Sequence, residues 1–116
     1  MQYRAYLMRV KKEKLKDYID VHKKENFWED LLQDMKTAGF SKMIIFQLGQ
    51  DIILFEEADN IQKTYEYSSK STVSKKWEDI VSDWMEKYPE YNIDKRAIEF
   101  TEIPIVFYYT DGKLLH

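Results

Sequence analysis

"SKMIIFQLGQDIILFEE", residues 41–57, holds two apolar runs on either side of Gly49-Gln50. Short runs rich in Ile and Phe read as strands, and a two-residue break containing glycine between them reads as a tight hairpin. "SKMIIFQL" and "DIILFEE" are therefore predicted to be antiparallel neighbours. Upstream, "QYRAYLMRV" (2–10) reads as a strand with Tyr3, Ala5 and Leu7 on one face and Tyr6, Met8 and Val10 on the other. Between it and the hairpin the periodicity is helical from about Lys12 to Ala38, with Gly39 as the C-cap. The first half of that helix lines up Leu15, Tyr18, Ile19 and His22, and the second half Trp28, Leu31, Leu32 and Met35. At roughly 100° per residue the two stripes lie on nearly opposite sides. One straight helix cannot bury both, so a break is predicted within Lys23 to Phe27.

Downstream of the hairpin, Asp59-Asn60-Ile61-Gln62 resembles a capping box and opens a short helix towards Tyr67. After "SSKSTVS" (68–74) comes a strongly amphipathic helix carrying Val73, Trp77, Ile80, Val81, Trp84, Met85 and Tyr88, with Pro89 just beyond. "AIEFTEIPIVFYY" (97–109) reads as the last strand, Pro104 marking a bulge or an edge. Strand, helix, hairpin, helix region and strand give the β-α-β-β-α-β order of an α+β, ferredoxin-like fold, with an antiparallel sheet and helices on one face. Residues 1–116 are expected to form one domain. The strands carry apolar residues on both faces, so the face without helices needs a cover. A second copy packed sheet against sheet, as in a dimeric α/β barrel, is the expected one.

Composition narrows the function. The 18 basic and 21 acidic residues are interspersed, which argues against nucleic acid or an anionic membrane as partner. "RVKKEKLK" (9–16) is basic but interrupted by Glu13 and reads as a solvated helix start. The absence of cysteine removes disulfides and thiolate chemistry. Together with the lack of a signal-like or bilayer-length apolar stretch, it leads us to expect a cytoplasmic protein. With only His22 and His116 as histidines and the acidic residues scattered, no metal site is expected. "YIDVH" (18–22) places a phenol and an imidazole one helical turn apart, able to converge on one small molecule.

"RAYLMRV" (4–10), followed by Tyr18 and then His22, resembles the amino-terminal signature of the L-rhamnose mutarotase family. Trp28 through the Leu31 region to Gly39 resembles that family's tryptophan-to-glycine segment, "ILFEE" (53–57) its third strand, and "SKKWEDIVSDWM" (74–85) its tryptophan helix. The resemblance spans roughly residues 3 to 110. It departs from the family at Trp77-Glu78, where adjacent tryptophans are usual, and at Trp28-Glu29, where Trp-Pro is usual. It departs again at Lys42-Met43, at "PIVFYY" (104–109), and through two extra residues between His22 and Trp28.

The resemblance implies a dimeric enzyme that interconverts the α and β anomers of L-rhamnose or a related deoxyhexose, a monosaccharide substrate handled without a cofactor. It assigns His22 as the general acid/base, since an imidazole with a pKa of roughly 6.5 works in both directions near neutrality. Tyr18 is assigned as a hydrogen-bond donor or proton relay. Trp77 is assigned as an apolar face for the sugar, with Trp28, Tyr6, Tyr108 and Glu78 as further pocket candidates. Plain packing also accounts for Trp77 and Trp84 in their stripe, and Tyr108 would serve a dimer interface equally well. Two other functions use the same fold: a cofactor-poor monooxygenase or haem-degrading enzyme with His22 as base or axial ligand, and a non-catalytic small-ligand dimer.

Overall fold

The computed structural model describes residues 1–87, 90–92, 97–99 and 101–115. Tyr88, Pro89 and His116 lie outside the described residues. The centre is a sheet of β1 (Gln2–Val10), β2 (Phe40–Leu48) and β3 (Asp51–Ala58). As predicted, β2 and β3 form a hairpin, turning through Gly49 at φ +60°, and β1 pairs with the far edge of β3. With the short β4 (Met85–Lys87) beside β1, the sheet order β2-β3-β1-β4, antiparallel throughout, is the ferredoxin-like α+β arrangement. No helix among the described residues is long and apolar enough to cross a membrane.

The helical stripes decide where the elements stop. After a turn of 3₁₀-helix at Lys12–Lys14, α1 runs Leu15–Val21 and α2 runs Glu29–Ala38. The break between them falls where the two stripes reverse, and Asn26 Nδ2 ties it back to the Asp20 carbonyl at 2.8 Å. Gly39 closes α2 at φ +102°, a left-handed conformation that a side chain would resist. Its missing Cβ would also stand 3.2 Å from Thr64 Oγ1. The helix α3 (Ile61–Ser69) starts on Asn60, whose side chain accepts from the Lys63 amide.

Two expectations need correction. The amphipathic helix α4 (Thr72–Ser82) ends before Trp84 and Met85. Met85 opens the short strand β4 (Met85–Lys87) against Val10, and the Trp84 carbonyl accepts from the Lys11 amide at 2.8 Å. Apolar residues at helical spacing hid this switch, because the sheet recruits the backbone groups while the same side chains still face the core. The stretch expected as one last strand is divided. Ala97–Glu99 (β6) pairs with Glu90–Asn92 (β5), and Thr101–Glu102 (β7) lies beside β1 at Tyr6 and Leu7. The Ile103 amide still donates to the Ala5 carbonyl at 2.7 Å, but the ladder stops there. Pro104 has no N–H to continue it. Tyr109–Thr110 (β8) then turns back on Lys113–Leu114 (β9).

Alternation along the strands separates two environments. Tyr6, Met8, Val10, Ile52 and Leu54 point to the helical side and are buried with Tyr18 and Met85. Leu15, Tyr65, Val81 and Trp84 close over them. On the other side of the same strands, Leu7, Ile44, Phe46 and Ile53 are exposed.

Candidate active site

Between the sheet and the helices lies a cavity of about 630 Å³. Its floor is strand side chains, among them Tyr6, Met8, Met43, Ile45, Leu54 and Glu56. Its roof comes from Tyr18 and His22 at the end of α1, Phe27 in the connection, Tyr65 of α3, and Trp77 and Glu78 of α4. The lining is mainly apolar with a few convergent polar groups, as a small-molecule site requires.

His22 caps α1, and its Nδ1 lies 2.6 Å from the Tyr18 carbonyl oxygen. A carbonyl only accepts, so Nδ1 carries the proton and Nε2 is the lone-pair nitrogen of the neutral ring. The four-residue spacing of "YIDVH" thus does two things: it brings the Tyr18 and His22 rings to 4.4 Å at a 41° tilt, and it fixes the imidazole tautomer. Trp77 stands edge-on to His22 at 5.1 Å, and Phe27 lies 6.2 Å from it. Burial among these rings lowers the His22 pKa below its ordinary value, with the bond to the Tyr18 carbonyl opposing. His22 is therefore a neutral base near neutrality. Burial pushes the Tyr18 phenol up, so it stays protonated.

The other expected residues fall into two groups. Tyr6, Trp77 and Glu78 line the cavity with His22 and Tyr18. Burial, with Asp79 and Glu56 adding to it against Lys75, raises the Glu78 carboxyl to about 7. Trp28 and Tyr108 are not on the lining. Trp28 backs Trp77 edge-on at 5.2 Å, and Tyr108 packs against Tyr3 at 5.2 Å on the opposite face of the sheet. The connection after His22 leaves the cavity open, with Phe27 in its wall 5.0 Å from Trp77.

Reading the sequence missed Glu56 and Tyr65. Glu56 is 6% exposed, and the Tyr65 hydroxyl donates to its Oε1 at 2.6 Å. Tyr65 in turn lies 2.5 Å from the Tyr6 hydroxyl. Burial raises the Glu56 carboxyl to about 7, partly offset by the bond from Tyr65. The signal was present: Ile52, Leu54, Glu56 and Ala58 alternate on one face of β3, and a carboxylate on a core face calls for a partner.

A sequence model of the L-rhamnose mutarotase family matches residues 4–109. The chain belongs to the L-rhamnose mutarotase family. It is accordingly a sugar mutarotase, an isomerase, and the monooxygenase and haem-degrading alternatives are not favoured. No curated protein sequence matches it significantly. Among solved structures it is similar to an L-rhamnose mutarotase from Formosa agariphila, with a TM-score of 0.71 and 21% identity over 95% of this chain and 100% of that one. It is also similar to tetracenomycin F2 cyclase, a type-II polyketide cyclase from Streptomyces glaucescens, with a TM-score of 0.62 and 13% identity over 95% and 98% of the two chains. A third is a dimeric ferredoxin-like protein from an uncultured marine organism, with a TM-score of 0.53 and 19% identity over 73% and 78%. At these identities the structural likeness shows the fold, and the family membership rests on the sequence match.

Proposed function

We propose that the cavity binds L-rhamnose or a closely related deoxyhexose, and that His22 moves the proton of the anomeric hydroxyl. The observation that carries this is the bond from Nδ1–H of His22 to the Tyr18 carbonyl, which leaves Nε2 as the basic nitrogen in a 630 Å³ cavity with an aromatic wall. Anomer exchange requires the anomeric hydroxyl to lose its proton, the ring to open, the aldehyde to rotate and the ring to close. A neutral imidazole of lowered pKa takes that proton and returns it. Trp77, held by Trp28 and Phe27, offers a flat apolar surface to the sugar ring and to the methyl group of a 6-deoxy sugar. Tyr18 donates a hydrogen bond and Glu78 accepts one from sugar hydroxyls.

The working form is proposed to be a homodimer. Leu7, Ile53 and Phe46 form one cross-strand row on the open sheet face, and Ala5, Phe55 and Ile44 form the next. A second copy of this face would cover it, and one of the similar structures is described as dimeric. A cytoplasmic setting is consistent with a chain that uses no cysteine.

The test is saturation-transfer NMR on the anomeric protons of L-rhamnose, with L-fucose and other hexoses in parallel. Wild type should accelerate exchange for at least one sugar, and His22→Ala should lower the rate about 10²- to 10⁴-fold. Equal rates in the two proteins would remove His22 from the mechanism.

A further inference from the structure

Ring opening needs a proton at a second place. As the anomeric hydroxyl loses its proton, the ring oxygen must gain one, and a single imidazole cannot stand at both atoms in one step. Tyr18 is a poor source, because burial makes its phenol a weaker acid than usual. The floor of the cavity offers a better one. Glu56 lines the cavity, and the Tyr65 hydroxyl donates to its Oε1, which fixes the carboxyl in the cavity floor.

We propose that Glu56, held in place by Tyr65 and Tyr6, is the second proton-transfer group of this enzyme and acts on the ring oxygen while His22 acts on the anomeric oxygen. The inference rests on the mutarotase reading of the cavity. In opening, the anomeric O–H gives its proton to Nε2 of His22 and C1–O1 becomes a carbonyl. The C1–O5 bond breaks, and its electron pair on O5 takes the proton of the Glu56 carboxyl. After the aldehyde rotates, O5 attacks C1 and returns its proton to Glu56. The carbonyl oxygen takes back the proton from His22, so the enzyme ends as it began.

The surroundings of Glu56 suit this cycle. From α3 the Tyr65 hydroxyl donates to it. From β1 the Tyr6 hydroxyl meets Tyr65, while Arg4, cross-strand from Glu56, is paired with Glu102 of β7 at 3.3 Å. From α4 Glu78 adds a second carboxyl, and from α1 the cavity receives His22 and Tyr18. A carboxyl raised to about 7 by burial is half protonated near neutrality, where His22 is neutral. Acid and base are thus present together. Tyr65 is a positioning residue: it orients the carboxyl and moderates its acidity.

The experiment is the pH dependence of kcat and kcat/KM for anomer exchange in wild type, Glu56→Gln, Tyr65→Phe and Glu78→Gln, each checked for folding by circular dichroism. Wild-type kcat/KM should rise as His22 deprotonates and fall as Glu56 loses its proton near pH 7. Glu56→Gln should lower kcat about 100-fold, change KM little, and abolish the falling limb. Should that variant not fold, Tyr65→Phe keeps the carboxyl but deletes the bond that lowers its pKa, so the falling limb should move to higher pH. Glu78→Gln should keep the limb. A limb retained in Glu56→Gln, unmoved in Tyr65→Phe, or lost in Glu78→Gln overturns the proposal while wild-type exchange leaves the mutarotase reading intact. No exchange by wild type with any sugar overturns both.

Discussion

Ile53 and Leu54 are adjacent in β3, yet Leu54 is 8% exposed and Ile53 is 39% exposed. Successive side chains in a strand point to opposite faces, so the pair samples both sides of one sheet. On the Leu54 side the helices close over the strands and leave the cavity with Glu56 in its floor. On the Ile53 side the neighbours are Leu7 and Phe46, exposed at 43% and 54%. A sheet face meant for water would alternate to polar residues there. One face is completed within the chain, around the cavity, and the other stays apolar and open, the face on which the homodimer is proposed.

The largest effect should come from charging the open face. Ile53→Glu places a carboxylate in the centre of the proposed interface while leaving the cavity lining untouched. Light scattering should show the wild type at about twice its 14.1 kDa chain mass and the variant at the chain mass itself. A wild-type protein that is monomeric at micromolar concentration would break the comparison.

Next in size is a paired truncation. Leu54→Ala removes a buried side chain from the core cluster and should cost about 2–5 kcal/mol in urea unfolding. Ile53→Ala, measured in the monomeric background of Leu7→Lys, should cost clearly less, because its side chain is already partly in water. Equal losses would mean that the open face contributes to the fold of the single chain as much as the closed one.

The same contrast explains what could be read from the sequence. The hairpin at Gly49, the break between α1 and α2 and the Gly39 cap each follow from local chemistry, and each is found, whereas the capping box read over residues 59–62 starts α3 one residue later, on Asn60. The order of elements followed from those. The exit of Trp84 and Met85 from α4 into a turn and β4 was not legible, because a core-facing stripe does not say whether backbone groups bond within a helix or to Lys11 and Val10. In the candidate site, the Tyr18–His22 spacing pointed to its own geometry, and the family resemblance pointed to Trp77, whose stripe by itself reads as packing. Tyr108 was misleading because the chain after Pro104 leaves the ladder, and its ring goes to Tyr3 on the far face. Glu56 and Tyr65 come together from separate elements, and only the packing of α3 on β3 joins them.

The smallest effect tests whether the cavity face carries a cost for holding Glu56. A carboxyl at about 7 in the folded chain, against the ordinary 4.5, binds its proton more tightly folded than unfolded. Its contribution to stability is therefore fully present below pH 4.5 and is lost as pH rises through 7. A shift of this size corresponds to at most about 3.5 kcal/mol, from roughly 1.4 kcal/mol per pH unit. Glu56→Gln keeps an acceptor for Tyr65 and removes the ionisation. The variant should therefore gain on the wild type, by about 1–3 kcal/mol, in urea midpoints at pH 8, and should show no such gain at pH 4.5. A pH-independent difference for Glu56→Gln would show that the carboxyl is solvated, and would erase the electrostatic distinction between the two faces.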